Sequence, residues 1–216
     1  ARWAKGSLET AKKLTGLVAS SAAPGFVRVE ALQHLWANLA WPLALLVALL
    51  MPAVAIATPT EGWARHLFLD LPAFVFATAS HALFFSLPAF SRRRTEPFPW
   101  RDLPLVLALG TGMALAQSLA VFEALRGRRT AFVRTPKRGL GAGSYRVADA
   151  ATGMPELVLA AWHVVGIVGA VSLGRWGSIP FLALFAAGFG WVGVLALRER
   201  LVAAASPSSV EAVLAK

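Results

Sequence analysis

Cysteine is absent from the chain, which excludes disulfide bonds and thiolate chemistry. Acidic residues are scarce, with 11 Asp and Glu against 21 Lys and Arg among 216 residues. The four histidines are scattered, and no acidic pair has the spacing of metal ligands. The sequence therefore predicts no metal site within this chain.

Apolar residues dominate the composition. They make up 57% of the chain, and the mean hydropathy is +0.62, which is too apolar for a soluble domain of this size. A polytopic membrane protein is the class that fits. A net charge of +10 is also found in nucleic-acid binders, but here the cations are concentrated between apolar bands. Membrane topology explains them, and no nucleic-acid partner is predicted.

The predicted fold is an all-α membrane protein with four transmembrane helices, an N-terminal amphipathic interface helix, and one interfacial or re-entrant helix. About 20 apolar residues are enough to cross the hydrocarbon core, and the predicted spans are 35–58, 67–90, 156–174 and 178–197. The chain divides into an interface helix, a first membrane region, a basic loop, a second membrane region and a tail, at 1–25, 26–125, 126–155, 156–200 and 201–216.

Residues 103–125 are long enough to cross, but Gly110, Gly112 and Glu123 weaken them as a span. If they cross, 11 of the 21 cations lie outside; if they return or lie flat, only Arg65 and Arg175 do. The positive-inside bias favours the second arrangement, with both termini cytoplasmic. High alanine and arginine content indicates a bacterium, so the expected location is the bacterial inner membrane.

The most cationic stretch is Arg126–Gly139, with six basic residues and no acidic one. Its centre, Phe132-Val133-Arg134-Thr135-Pro136-Lys137, combines one aromatic ring, one hydroxyl and two cations. These groups suit a phosphate-bearing anion, because cations neutralise charge and a hydroxyl donates a hydrogen bond. On composition alone, a solvated loop that touches anionic lipid headgroups is the favoured explanation of the stretch.

Together with Arg2-Trp3, this stretch resembles two motifs of the membrane family-2 glycosyltransferases of the cellulose synthase and mannan synthase superfamily. In that family an interfacial helix carries Gln-x-x-Arg-Trp and a cytoplasmic gating loop carries Phe-x-Val-Thr-x-Lys. Phe132, Thr135 and Lys137 match the second motif at the right spacing, whereas Arg134 stands in place of Val. The order of the motifs and their membrane context agree along nearly the whole chain.

The resemblance implies the membrane-channel half of a processive inverting hexosyltransferase. Such an enzyme polymerises a β-linked glucan or mannan from UDP- or GDP-hexose and exports it. The implied nucleotide and acceptor contacts are Arg2, Trp3, Phe132, Arg134, Thr135 and Lys137. The catalytic base and a divalent cation, Mg or Mn, belong to a soluble domain expected upstream of Ala1, so no cofactor and no activity are expected for this chain alone. Partners are then the nucleotide-sugar, the polysaccharide or lipid acceptor, and membrane lipids.

Asn38, Trp41, His81 and Trp36 are candidates for lining a polysaccharide channel, since aromatic rings stack on sugars and amides bond hydroxyls. An aromatic belt with helix–helix hydrogen bonds is the competing explanation. Two other functions stay open: a non-processive transferase that glycosylates a lipid, and a non-enzymatic membrane subunit or carrier whose basic loop docks on lipids.

Overall fold

The structure, a computed structural model, describes residues 2–57, 102–128 and 153–205, with five isolated positions between 68 and 83. Six α-helices and no strand lie in these residues. The helices are α1 (Arg2–Ala19), α2 (Gly25–Trp36), α3 (Ala40–Ala57), α4 (Asp102–Leu125), α5 (Met154–Ser172) and α6 (Ile179–Ala205). Short 3-10 helices at Ala37–Leu39 and Trp176–Ser178 precede α3 and α6.

Four helical stretches among the described residues are long and apolar enough to cross a membrane. They are Gly25–Ala57, Asp102–Leu125, Met154–Ser172 and Trp176–Val202. The predicted class, all-α with four helices of spanning length, is confirmed. Outside the described residues lie nearly all of the predicted span at 67–90, the basic loop from 129 to 152 and the tail from 206.

Helix α4 differs from the re-entrant form, one of the two expected for 103–125. It is one uninterrupted helix of 24 residues, whereas a segment that enters and returns needs a break. The glycines that weakened it as a span have a packing role instead. A Cβ at Gly112 would collide with the carbonyl of Gly188 in α6, so the absence of a side chain lets the two backbones approach.

Two local features shape the ends of the helices. Pro42 lacks an N–H, so the Asn38 carbonyl has no i+4 donor, and a 3-10 turn at Ala37–Leu39 separates α2 from α3. The end of α5 is a Schellman motif, with Gly174 at φ +69° and the Arg175 N–H donating to the Ala170 carbonyl at 2.7 Å. A tight turn therefore connects α5 to the short 3-10 helix that precedes α6.

The packing partners define the direction of each helix. Ala48 in α3 packs with Ala114 in α4, while Trp36, Leu39 and Trp41 pack with Val121, so α3 and α4 are antiparallel. Helix α5 runs parallel to α3, because Ala48 packs with Leu159 and Ala55 with Ala170. The bundle thus has an α1 end, with Leu125 and Met154, and a far end, with Ala57, Asp102 and Arg175.

The core follows these contacts in three clusters. One joins α1 to α4, one lies between α3, α4, α5 and α6, and one lies at the far end, where Ala55, Ala170 and Leu182 meet. Phe189 of α6 is fully buried in the middle cluster. The outward faces carry exposed Leu and Val, as expected for helices that contact lipid rather than water.

Candidate functional site

Helix α1 is fixed against the C-terminal end of α4 by both charge and packing. The Lys5 ammonium lies 3.3 Å from a carboxylate oxygen of Glu123. Lys12 donates to the carbonyl oxygens of Ala124 and Leu125, the second at 2.8 Å. These carbonyls end α4, where the Ala124 carbonyl also accepts the Gly127 N–H at 3.1 Å, so a cation there adds a charged donor and suits the helix dipole.

The same turn of α4 begins the basic loop. Gly127 has φ +69°, and the Arg128 N–H donates to the Glu123 carbonyl at 3.1 Å, which is a Schellman ending. A left-handed residue is required at this position, and glycine adopts it without steric cost. Arg126 and Arg128 therefore leave the bundle beside α1, at the end that also carries Arg2 and Trp3.

Arg2 and Trp3 lie in the first turn of α1, at the mouth of a groove between α1 and α2. Trp3 is 91% exposed. The groove has a volume of about 1030 Å³ and is also lined by Ser7, Thr10 and His34. An indole exposed in this way offers a flat face that can stack on the apolar C–H face of a pyranose. The other predicted contacts, Phe132, Arg134, Thr135 and Lys137, lie outside the described residues.

Three of the four channel candidates find their partners within the protein. The Trp36 indole N–H donates to the Thr15 hydroxyl at 2.9 Å, which joins α2 to α1. The Trp41 indole N–H donates to the Asn38 side-chain oxygen at 3.1 Å, across the start of α3. Both rings pack against the buried cluster that α1 and α4 form together. His81, the fourth candidate, lies outside the described residues.

Two polar side chains in the core, Glu156 and His163, were not among the predicted site residues. Glu156, in the first turn of α5, is 5% exposed, and its Oε2 has no hydrogen-bond partner among the described residues. His163 is fully buried, with Nδ1 at 2.8 Å from the Leu159 carbonyl, while Nε2 contacts no polar group in the part of the chain that the structure describes. Its ring stacks on Phe185 at a centroid distance of 5.3 Å. The sequence signal was present, since both residues interrupt an apolar helix at a spacing of seven, on one face.

The groove residues beyond Trp3 carried a signal as well. Ser7, Thr10, Leu14 and Val18 follow Trp3 at intervals of three or four, which places them in one stripe along α1. The partner stripe on α2 consists of Ala31, His34 and Leu35. The pairing of the two stripes is a tertiary contact, so neither stripe alone predicts a groove.

Comparison with known proteins adds no relative. No family model, no curated protein and no solved structure matches the chain.

Proposed function

We propose that this chain is the membrane part of an inverting family-2 glycosyltransferase of the cellulose synthase and mannan synthase type, which polymerises and exports a β-linked polysaccharide. The observation that carries the proposal is the attachment of α1 to the last turn of α4. Lys5 and Lys12 bring the helix with Arg2-Trp3 against the turn that begins the basic loop. The two motifs are far apart in sequence, and Arg128, four residues before Phe132, lies at the end of the bundle that also carries Arg2-Trp3.

The chemistry divides between this chain and a catalytic domain. The acceptor hydroxyl attacks the anomeric carbon, the bond to the diphosphate breaks, and a carboxylate takes the hydroxyl proton. In the proposal, that carboxylate and a divalent cation belong to the catalytic domain. Arg2, Thr135 and Lys137 bind the diphosphate, and Trp3 stacks on the acceptor sugar.

One observation favours the non-processive alternative, in which the acceptor is a lipid. A row of channel-lining aromatics was the reason to prefer a processive enzyme. Trp36 and Trp41 instead donate their indole N–H groups to Thr15 and Asn38, and they pack between helices. The length of the product separates the two enzymes: a ladder of oligosaccharides supports the polymerase, and a single added sugar supports the lipid transferase.

The proposal is tested by nucleotide-sugar binding to the full-length protein with single alanines in the basic loop. Charge-assisted hydrogen bonds contribute about 1.5–3 kcal/mol each, so Lys137→Ala is expected to weaken binding on the order of ten- to a hundredfold. Lys137→Arg should restore it only in part, because a planar fork does not replace a compact ammonium.

Arg128→Ala and Arg129→Ala are the matched controls, since they remove the same charge outside the motif. If the loop is a ligand site, one substitution should weaken nucleotide-sugar binding severely. If the loop docks on lipids, each substitution should cause a small loss that depends on the total charge. Equal losses of nucleotide-sugar affinity at Lys137, Arg128 and Arg129 would contradict a gating role for the loop. A parallel pair on α1, Trp3→Ala against Leu17→Ala, another exposed apolar side chain, should separate acceptor stacking from membrane anchoring.

A further inference from the structure

The groove between α1 and α2 has two chemically different ends. Arg2, Ser7, Thr10 and His34 lie toward the start of α1, and the lining there is polar and cationic. Leu14, Val18 and Ala31 lie toward the α1–α2 turn, where the lining is aliphatic. None of the described residues that line the groove is acidic. A ligand that matches both ends has an anionic head and an apolar chain.

Hydrogen bonds between the two helices hold the groove walls in place. The Ser7 hydroxyl donates to the Leu35 carbonyl at 3.4 Å at the polar end. Arg28 donates to the Ala19 carbonyl at 3.0 Å at the aliphatic end. The groove is therefore formed before any ligand binds, which lowers the entropic cost of binding. Its volume of about 1030 Å³ is at the upper end of the range for small-molecule sites.

The surroundings favour a membrane lipid as the occupant. Helix α2 continues through the 3-10 turn into α3, a stretch apolar enough to cross the bilayer. Helix α1 carries Arg2, Lys5, Lys12 and Lys13 against one acid, Glu9. Leu17, Phe26 and Val29 are exposed around the α1–α2 turn, as in segments that enter the acyl region. Basic interface segments of this kind attract anionic headgroups.

We propose that the α1–α2 groove binds one anionic phospholipid. Its phosphate lies at Arg2, with the Thr10 hydroxyl and His34 beside it, and one acyl chain lies between Leu14, Val18 and Ala31. The groove shares Arg2 and Trp3 with the contacts proposed above for the nucleotide-sugar and the acceptor, but lipid binding is measured without a nucleotide-sugar, so the two proposals fail separately. A lipid in this groove would hold α1 at the membrane surface by a specific contact, in addition to the attraction that the net charge of α1 provides.

Photolabelling of the full chain in phosphatidylcholine nanodiscs tests the site. The probe is phosphatidylglycerol with a diazirine in the middle of one acyl chain, added at a low mole fraction. Label is expected on peptides containing Leu14, Val18 and Ala31, and excess phosphatidylglycerol should displace it while uncharged diacylglycerol should not. Arg2→Ala should lower the labelling on the order of tenfold or more, because a charged hydrogen bond is lost. Lys13→Ala, which removes an exposed cation of the same helix outside the groove, should lower it little.

A pair of glycines gives a steric control. Gly6 lines the groove, and a Cβ there meets no atom within 4 Å. Gly16 is equally open but lies outside the groove. Gly6→Phe should fill the site and abolish the label, whereas Gly16→Phe should keep it, with gel filtration and thermal unfolding as checks of the fold. Equal labelling of Arg2→Ala and Lys13→Ala, and of Gly6→Phe and Gly16→Phe, would overturn the proposal. Label spread evenly over the lipid-facing helices would also overturn it.

Discussion

At the residue scale, Lys12 shows how one side chain joins distant parts of the chain. Its ammonium reaches two carbonyls that end α4, 112 and 113 residues later in the sequence. Lys13, its neighbour, is exposed on the same helix. The sequence shows two equivalent cations, and only the packing of α1 on α4 makes them different.

Lys12→Met is expected to destabilise the junction by about 1–2 kcal/mol, because the last carbonyls of α4 lose a charged donor in a partly buried position. Trypsin reports the local effect, since Arg126 and Arg128 follow the capped turn directly. Cleavage there should accelerate in Lys12→Met, and the thermal midpoint in detergent should fall. Lys13→Met is the control; identical cleavage of both variants would contradict the capping role.

At the element scale, the crossing of α4 and α6 depends on small residues. Gly112 and Gly188 face each other, and the Thr111 hydroxyl beside them donates to the Ala108 carbonyl at 2.9 Å within its own helix. Helices in a bilayer gain little from apolar burial against one another, so close van der Waals contact is what stabilises them. Glycine here serves packing rather than flexibility.

Gly112→Ala is expected to destabilise the bundle by roughly 1–3 kcal/mol, since its Cβ meets backbone atoms of α6 that have no room to move. Gly110→Ala provides the comparison on the same helix. A Cβ at Gly110 meets nothing within 4 Å, so this change should be neutral or stabilising by up to about 1 kcal/mol. Thermal unfolding of both variants in one detergent measures the difference, and a Gly110→Ala variant as unstable as Gly112→Ala would argue against the close crossing.

Hydropathy alone predicted the helices of spanning length at 156–174 and 178–197, because a long apolar run with a tight turn has few alternatives in a membrane. It did not predict the form of α4. Gly110 and Gly112 have the same propensity, and only the position of α6 shows that one of them packs. The α1–α2 groove and the Lys5–Glu123 pair were not predicted for the same reason, since both depend on contacts between separate helices.

At the scale of the whole molecule, cations are divided unequally between the two ends. The described residues contain ten lysines and arginines, and nine lie at the α1 end: Arg2, Lys5, Lys12, Lys13, Arg28, Arg126, Arg128, Arg198 and Arg200. The tenth, Arg175, lies at the far end, where it donates to the Ala55 carbonyl at 2.6 Å. The positive-inside bias therefore favours a cytoplasmic α1 end.

Cysteine labelling in intact cells measures this orientation, and residues 1–216 contribute no native cysteine to the signal. Asp102→Cys is expected to react with an impermeant thiol reagent because Asp102 lies at the far end. Arg128→Cys, at the other end of α4, should react only after the membrane is permeabilised. The reverse pattern would invert the orientation, and protection of both sites in intact cells would show that α4 does not cross.

The attachment of α1 to α4 also has a consequence for biosynthesis. Lys5 and its partner Glu123 are separated by 118 residues, so the ribosome finishes α1 long before α4 exists. At about 5–20 residues per second the interval is roughly 6–24 s. During that time the buried stripe of Ala4, Leu8 and Ala11 has no protein surface to cover it. The headgroup layer can bind α1 during this interval, because its cations and indole suit that layer. The helix then packs on α4 once α4 is inserted.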